Sequence, residues 1–403
     1  MAGRLLFLAH RIPYPPEKGE KIRAFHMLEH LARSWEVELG CLVDDRADLD
    51  HVAALRRHCV AVEARWGGSR RQAALRAILR ARPGQPLSLG WFHEPGLRAW
   101  TRQRLESGEF DAVFVYSSGV APYAMGPEAL RPGLHRVLDL VDVDSEKWRA
   151  YAQDARAPMR QVWAREARTL LAFERRAAAS FDRTLLVSEA EAAAFRRLAP
   201  DSAGRIDHVD NGVELSRFDP GLPSADPYSG QPPAIAFTGT MDYRPNVEAV
   251  SFFAREVMPL LRAEREVGFH IVGASPSAAV RELASLPGVH VAGPVPDIRP
   301  YIAHAAVCVA PLRIARGIQN KVLEAMAMAR PVVASPEAFE GVRAVAGRDL
   351  LVAEDAAKMA RCVLEVLRGA HPGLGAAARA AVTANHDWSG TLRRLDAAMR
   401  PAA

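Results

Sequence analysis

The sequence predicts an α/β fold of two doubly wound units, and three observations carry that expectation. Short apolar runs alternate with longer amphipathic stretches, the pattern of parallel strands covered by crossover helices. A stretch dense in proline and glycine interrupts the alternation past the middle of the chain. The length, 403 residues, exceeds one ordinary core and suits two. Hydrophobic residues make up 49% and charged residues 25%, a globular composition that excludes disorder and fibrous repeats.

In the first half, strands are expected at residues 4–9, 37–43, 111–116, 136–141 and 183–187, with helices between them, the longest over 158–179. Proline in its first turn suits a helix start. Between Asn211 and Pro233 stand Gly212, Pro220, Gly221, Pro223, Pro227, Gly230, Pro232 and Pro233, more breakers than a regular element tolerates. The expected organisation is a first domain at 1–215, a linker at 216–233, a second domain at 234–375 and closing helices at 376–403 that pack back across the cleft. In the second half, strands are expected at 234–238, 268–272, 290–291, 307–310 and 331–334, with a helix over 317–329. Two such sheets leave a cleft at the carboxyl ends of their strands, where open α/β sheets bind ligands.

The apolar runs at 5–9, 112–115 and 305–312 fall far below the roughly 18 residues that span a bilayer. The run after Arg4 meets His10 and Arg11 early, which argues against a signal peptide, so a cytoplasmic location is expected. Cys41, Cys59, Cys308 and Cys362 form no C-x-x-C pair and read as reduced core thiols.

The net charge is +5, yet residues 51–104 hold 11 arginines against Glu63 and Glu94, so the remainder is slightly acidic. Within that stretch RRQAALRAILRAR (70–82) places Leu75, Ile78 and Leu79 on one helical face and Arg76 and Arg80 on another. Either this is a surface helix with a solvated arginine face, or the region contacts an anionic membrane surface. Nucleic acid is not an expected partner, because no aromatic interleaving or known binding motif accompanies the charge.

Chemistry concentrates at residues 313–328. A strand ends at Pro311, a loop carries Arg313, Arg316 and Gly317, and a helix begins whose first turns hold Gln319, Asn320, Lys321 and Glu324. A helix amino terminus offers unpaired N–H groups and partial positive charge, so a diphosphate suits it, and Lys321 adds a full charge. Glu324 lies on about the same face, where a carboxylate can accept hydrogen bonds from a ribose diol. Periodicity alone equally allows a surface Lys321–Glu324 pair with Leu323, Met326 and Ala327 packed inward.

The stretch GIQNKVLEAMAM (317–328) resembles the donor-site motif of retaining GT-B glycosyltransferases of family 4. In that family the glutamate of L-E-A-M grips the nucleotide ribose and a lysine or arginine contacts the diphosphate. RIPYPPEKGEKIR (11–23), with Gly19, resembles the family's first glycine-bearing loop; VDNGVELSRFDP (209–220) its N-G-V segment; and FTGTMDYRPNVEAV (237–250) the opening strand, loop and helix of its donor domain. With DLVDVDSEKW (139–148), the pattern is most similar to sugar transferases of PEP-CTERM/exosortase systems. The resemblance implies two Rossmann-like domains and retaining transfer from a UDP- or GDP-linked sugar to a saccharide or lipid-linked acceptor. It implies no metal or other cofactor, and a place in exopolysaccharide or cell-surface glycan synthesis. It assigns Gly19, Gly239, Thr240, Arg244, Val295, Arg316, Gly317, Asn320, Lys321 and Glu324 to the donor, with Arg244 and Lys321 also catalytic. Two positions depart from the family: Arg316 replaces a frequent glutamate, and Thr240 replaces a frequent arginine whose charge Arg244 can supply.

Asp142-Val143-Asp144 has the form of a D-x-D triplet. Its readings are an acceptor-side catalytic pair, a helix cap through Asp144, and a metal site, for which two carboxylates are an incomplete shell. Ser117-Ser118-Gly119 either lines the cleft or makes a plain strand-to-helix turn. No G-x-G-x-x-G follows the first strand, and no P-loop, G-x-S-x-G or H-E-x-x-H occurs, which sets aside dinucleotide oxidoreductases, P-loop ATPases and serine hydrolases. A nucleotide-sugar epimerase of the same fold and a non-catalytic sugar-nucleotide-binding homologue remain alternatives.

Overall fold

The computed structural model describes residues 2–17, 19–315 and 317–401. The chain forms two compact units, Met1–Asp210 with Leu392–Ala403, and Asn211–Thr391. Each is built on one all-parallel sheet flanked by helices, the α/β class that the alternation predicts.

The first sheet contains β1 (Gly3–Ala9), β2 (Trp35–Val43), β3 (Ala61–Trp66), β4 (Ala112–Tyr116), β5 (His135–Val141), β6 (Arg183–Leu186) and β7 (Ile206–His208). Their order, β3-β2-β1-β4-β5-β6-β7, reverses direction between β1 and β4, which opens a crevice at the carboxyl ends of those two strands. The helices that matter below are α1 (Gly19–Leu31), α2 (Arg70–Leu79), α3 (Asp144–Asp154), α4 (Met159–Ser180) and α5 (Glu189–Leu198).

One ion pair fixes α1 to this sheet. Arg23 is 1% exposed and Asp139 0%. The Arg23 Nε donates to Asp139 Oδ2 at 2.9 Å, and its Nη1 donates to the Val209 carbonyl at 2.6 Å. Desolvating two charges costs several kcal/mol each, so the pair is tolerated only with such complete hydrogen bonding. In the closing segment His135 Nε2 donates to the Ala398 carbonyl at 2.8 Å and His30 Nε2 to Asp396 at 2.7 Å, which ties residues 392–401 to this unit.

The basic helix α2 keeps Arg70, Arg71 and Arg80 exposed, as a surface helix with a solvated arginine face would, but differs from that expectation at Arg76 and at its apolar stripe. Only Ala73 and Ala77 are buried. Arg76 is drawn inward, donating to the carbonyls of Gly67, Gly90 and Trp91 at 2.7–3.2 Å. Leu75, Ile78 and Leu79 are left in solvent.

The second sheet contains β8 (Ala234–Thr238), β9 (Gly268–Val272), β10 (Val289–Gly293), β11 (Val307–Ala310), β12 (Val332–Ala334) and β13 (Leu351–Val352) in the order β10-β9-β8-β11-β12-β13. Its order reverses between β8 and β11. Two helices frame that point, α6 (Arg244–Phe252) and α7 (Asn320–Ala327). The proline- and glycine-rich stretch from Asn211 belongs to this unit: Val213, Phe218 and Tyr228 are buried in its core, and the Tyr228 hydroxyl donates to the Tyr301 carbonyl at 2.8 Å. The four cysteines are buried and unpaired. Among the described residues no helix is long and apolar enough to cross a membrane.

Candidate functional site

In the second unit, β8, β9 and β10 run into Gly239, Gly273 and Gly293. Gly239 N donates to the Val272 carbonyl at 3.1 Å, and Gly273 N to the Gly293 carbonyl at 2.9 Å. A Cβ on Gly273 would stand 1.8 Å from the Gly239 carbonyl oxygen, so the first two loops touch only because no side chain intervenes. Gly239 has φ of 156°, and a Cβ there would meet the Asn246 amide and approach the Lys321 stem.

A chain of polar contacts crosses from α6 to α7. Lys321 Nζ donates to Asn246 Oδ1 at 3.0 Å, and Asn246 Nδ2 donates to the Thr240 carbonyl at 2.9 Å. The ammonium also lies 5.1 Å from the Phe237 ring centre. Burial pulls Lys321 down to about 8, partly opposed by Glu324. Burial pushes Glu324 up to about 7, opposed by Lys321 and Arg217. Glu324 is 9% exposed, and among the described residues no donor hydrogen-bonds its carboxylate. A nearly buried carboxylate without a donor is costly unless a ligand completes it.

The helix start is similarly open. Gln319 precedes α7 and makes no side-chain capping bond, while its carbonyl accepts from Val322 N at 3.0 Å, so the N–H groups of Asn320 and Lys321 are the ones offered to an anion. Asn320 accepts at Oδ1 from Asn211 Nδ2 at 3.2 Å. The Asn211 carbonyl accepts from His386 Nδ1 at 3.0 Å, so the N-G-V segment supports the first turn of α7. Sequence reading passed over Asn211, Asn246 and His386. The first two sit inside motif segments already singled out, and their amide side chains are the signal.

The other expected donor residues are spread more widely. Gly317 is buried with φ of 63°, and its carbonyl accepts from Gln319 Nε2 at 3.3 Å. Arg244 opens α6 and donates from Nε to Glu248 at 2.6 Å, a pair on one helix flank. Val295 is half-buried two residues past Gly293, whose loop reaches that of β8 through the loop after β9, by Gly273 N to the Gly293 carbonyl and Met241 N to the Ala274 carbonyl. Arg313 is exposed, 5.4 Å from the Phe252 ring centre. Arg316 lies outside the described residues.

A second cluster occupies the carboxyl ends of the first sheet. Ser117, after β4, has φ of 85°, and Val141, closing β5, has φ of 68°. Such values are unusual for any side chain and costly for a β-branched one, on the order of 1–3 kcal/mol. Val141 is held there by its N–H to Asp139 Oδ1 at 2.9 Å and by the Val187 N–H to its carbonyl at 2.7 Å. Ser117 Oγ accepts from Gly119 N at 3.3 Å, so Ser117-Ser118-Gly119 makes a strand-to-helix turn that is itself strained.

The strain at Val141 presents the D-V-D triplet. Val143 N donates to Glu191 at 3.1 Å, while Ser145 donates to Glu174 from its N at 3.2 Å and its Oγ at 2.5 Å. Capping by Asp144 is therefore corrected: Asp144 is the first residue of α3, and two buried glutamates from α4 and α5 take the N–H groups. Burial pushes Glu174 up to about 8 and Asp142 to about 7, the latter aided by Glu191 and Asp144. Asp142 Oδ1 is buried without a hydrogen-bond partner among the described residues. Among those residues no three His, Cys, Asp or Glu side chains converge as a metal shell.

Nearby, Arg11 binds Glu20 at 2.5 Å and Asp44 at 2.7 Å, and Gly19 begins α1 beside Glu20. Burial and the charge of Arg11 pull His10 down to about 4. A groove of about 610 Å³ follows the α3–α4 hairpin from Ser145 outward, with Arg149, Arg160 and Arg168 along it.

Comparison with known proteins agrees with this division. Residues 232–369 match the family described as glycosyl transferases group 1. No curated protein sequence matches the chain. Among solved structures, sucrose-phosphate synthase from Thermosynechococcus elongatus superposes with a TM-score of 0.71 at 18% identity, covering 98% of both chains. Anabaena HepE, solved in complex with UDP, gives 0.65 at 14% identity with 98% of both chains covered. WaaG, a glycosyltransferase of lipopolysaccharide biosynthesis, gives 0.65 at 16% identity over 98% of this chain and 100% of that one. The chain thus has the GT-B fold of two Rossmann-like units, and the stretch that is similar to the glycosyl transferases group 1 family falls within its second unit.

Proposed function

We propose that this protein transfers a sugar from a UDP- or GDP-linked donor, with retention of configuration, to a saccharide or lipid-linked saccharide acceptor. The observation that carries the reading is the open pair at α7: Glu324 nearly buried without a donor among the described residues, one turn past Lys321 and a helix start that lacks a side-chain capping bond. The ribose diol donates to Glu324, and the diphosphate lies against Lys321 and the first N–H groups of α7. Gly239 and Gly317 let backbone approach it, with Thr240, Asn320 and Arg244 around it and the base toward Val295. No role is assigned to Arg316. The similar fold of Anabaena HepE, solved in complex with UDP, supports a uridine nucleotide as the first donor to test.

In the transfer step the bond from the sugar C1 to the β-phosphate oxygen breaks, and its electron pair leaves with the diphosphate. A bond from C1 to the acceptor oxygen forms on the same face, and the acceptor proton passes to the departing phosphate. Negative charge grows on the diphosphate, where Lys321 and the helix start are already aimed; this preorganised stabilisation is usually the largest contribution. No cofactor or metal is assigned a role.

Asp142 and Asp144 are proposed to meet the acceptor in the first unit. Val141 is strained where it sets Asp142, and the uncompleted Asp142 oxygen wants a hydroxyl donor. Arginines along the α3–α4 groove suit an acceptor carrying phosphate. A role in exopolysaccharide or other cell-surface glycan assembly of the PEP-CTERM kind, at the cytoplasmic face of the membrane, fits such an acceptor.

A thermal-shift screen against UDP, GDP and their common sugars tests the donor assignment. UDP or GDP is expected to raise the melting temperature of the wild type, and Glu324→Ala is expected to lower that affinity about tenfold or more. A folded Glu324→Ala variant with wild-type affinity and transfer would refute the site. Donor converted to an epimer without acceptor, followed by NMR, would replace transfer with epimerisation.

A further inference from the structure

We propose that the outer face of α2 is a docking surface for an anionic phospholipid bilayer. Leu75, Ile78 and Leu79 are 57%, 66% and 76% exposed, at the spacing of one helical stripe. Soluble surfaces carry scattered apolar residues, but three large ones side by side on one helix mark an interaction site. The helix is held rigidly enough to present them: Ser69 and Gln72 close a capping box at its start, and Arg76 is anchored beneath it to three backbone carbonyls. Arg165, from α4, donates to the carbonyls of Arg82 and Gln85 and so fixes the loop that follows α2. One turn earlier on α4, Val162 is exposed, with Met159 beside it.

Charge selects the partner. Arg70, Arg71, Arg80 and Arg82 are exposed at the two ends of the stripe. None has a carboxylate within salt-bridge distance among the described residues, and residues 64–93 contain no aspartate or glutamate. A second copy of this chain is a poor occupant, since a two-fold contact through this face would set arginines against arginines. A bilayer with anionic headgroups satisfies both features at once: leucine and isoleucine enter the acyl boundary while the flanking guanidiniums stay at the phosphates. The surface is separate from the donor residues, so membrane binding and nucleotide binding fail independently.

Flotation of the full chain with vesicles tests the assignment. The wild type is expected to float with phosphatidylcholine–phosphatidylglycerol vesicles at low ionic strength, to be released by high salt, and to stay behind with phosphatidylcholine alone. Replacing Leu75, Ile78 and Leu79 together by serine is expected to lower partitioning about tenfold or more. Arg71→Glu with Arg80→Glu and Arg82→Glu is expected to remove the preference for anionic vesicles. Both variants keep the wild-type far-UV spectrum and nucleotide-induced thermal shift, because neither touches α7. Failure of the wild type to float, or undiminished flotation of the serine variant, overturns the proposal. A wild-type dimer in light scattering that the serine variant lacks also overturns it and assigns the face to a second copy.

Discussion

Lys321 and Glu324 are one turn apart, and burial moves them toward each other in pKa, to about 8 and about 7. Each needs its charged form to hold a nucleotide: Glu324 must be ionised to accept from the ribose diol, and Lys321 protonated to face the diphosphate. Affinity for UDP is therefore expected to rise as pH climbs through about 7 and to fall above about 8. Calorimetric titration across pH 6 to 9 reads both limbs. Glu324→Gln keeps the shape, loses the acidic limb and binds less tightly at pH 7.5; Lys321→Met loses the alkaline limb. A flat wild-type profile would detach both residues from the ligand. Spacing alone left the pair open between a surface ion pair and a ligand site, and the resemblance to the donor motif singled it out; the structure adds that among the described residues no donor hydrogen-bonds Glu324, which a spacing argument cannot say.

At the scale of elements, the junctions of strand and helix decide most of the chemistry. Gly273→Ala is expected to be severe, because the new Cβ falls 1.8 Å from the Gly239 carbonyl and φ is 147°. Two backbone segments would have to part, so a loss on the order of 2 kcal/mol or more is expected, together with weakened UDP binding, both read by thermal melting with and without nucleotide. Val141→Gly relaxes a strained residue, and chemical denaturation should show it about as stable as the wild type or more so. Its transfer rate should fall, because Asp142 is then free to swing. The long apolar strands of both sheets were readable because they are continuous Val, Leu, Ile and Phe runs. Strands β3, β7 and β13 were not: the first is only half-buried, and the other two are three and two residues long. The α2 face was readable as a stripe but not in its direction, since Ala73 and Ala77 compete with Leu75 and Ile78 for the interior and only Arg76's distant carbonyl partners settle it. The glutamates that hold the D-V-D turn were beyond reach for the same reason, lying 29 and 48 residues from the N–H groups they bind.

For the whole molecule, two units with separate cores imply that a single unfolding free energy is not well defined, and pH offers a way to tell the units apart. In the first unit burial raises Glu174 to about 8 and Asp142 to about 7, far above their unfolded values. The folded unit therefore binds protons that the unfolded chain has released, and its stability falls as pH rises toward about 8. His10 acts in the opposite sense, since burial keeps it neutral while the unfolded ring still protonates below about 6.5; its effect is spent above neutrality. In the second unit Glu324 repeats the carboxylate behaviour up to about 7, but Lys321, depressed to about 8, offsets it beyond that because the unfolded lysine keeps its proton. Between pH 7 and 8.5, calorimetry is thus expected to resolve a first-unit transition that moves down in temperature and a second-unit transition that stays nearly level. Glu174→Gln should flatten the first and raise it at pH 8.5 by about 5 °C, leaving the second untouched. Saturating UDP at pH 7.5 should do the reverse, lifting the second transition, by about 2.7 kcal/mol at a hundredfold excess over Kd, and not the first. One transition responding to both perturbations would mean that the units unfold as one cooperative body.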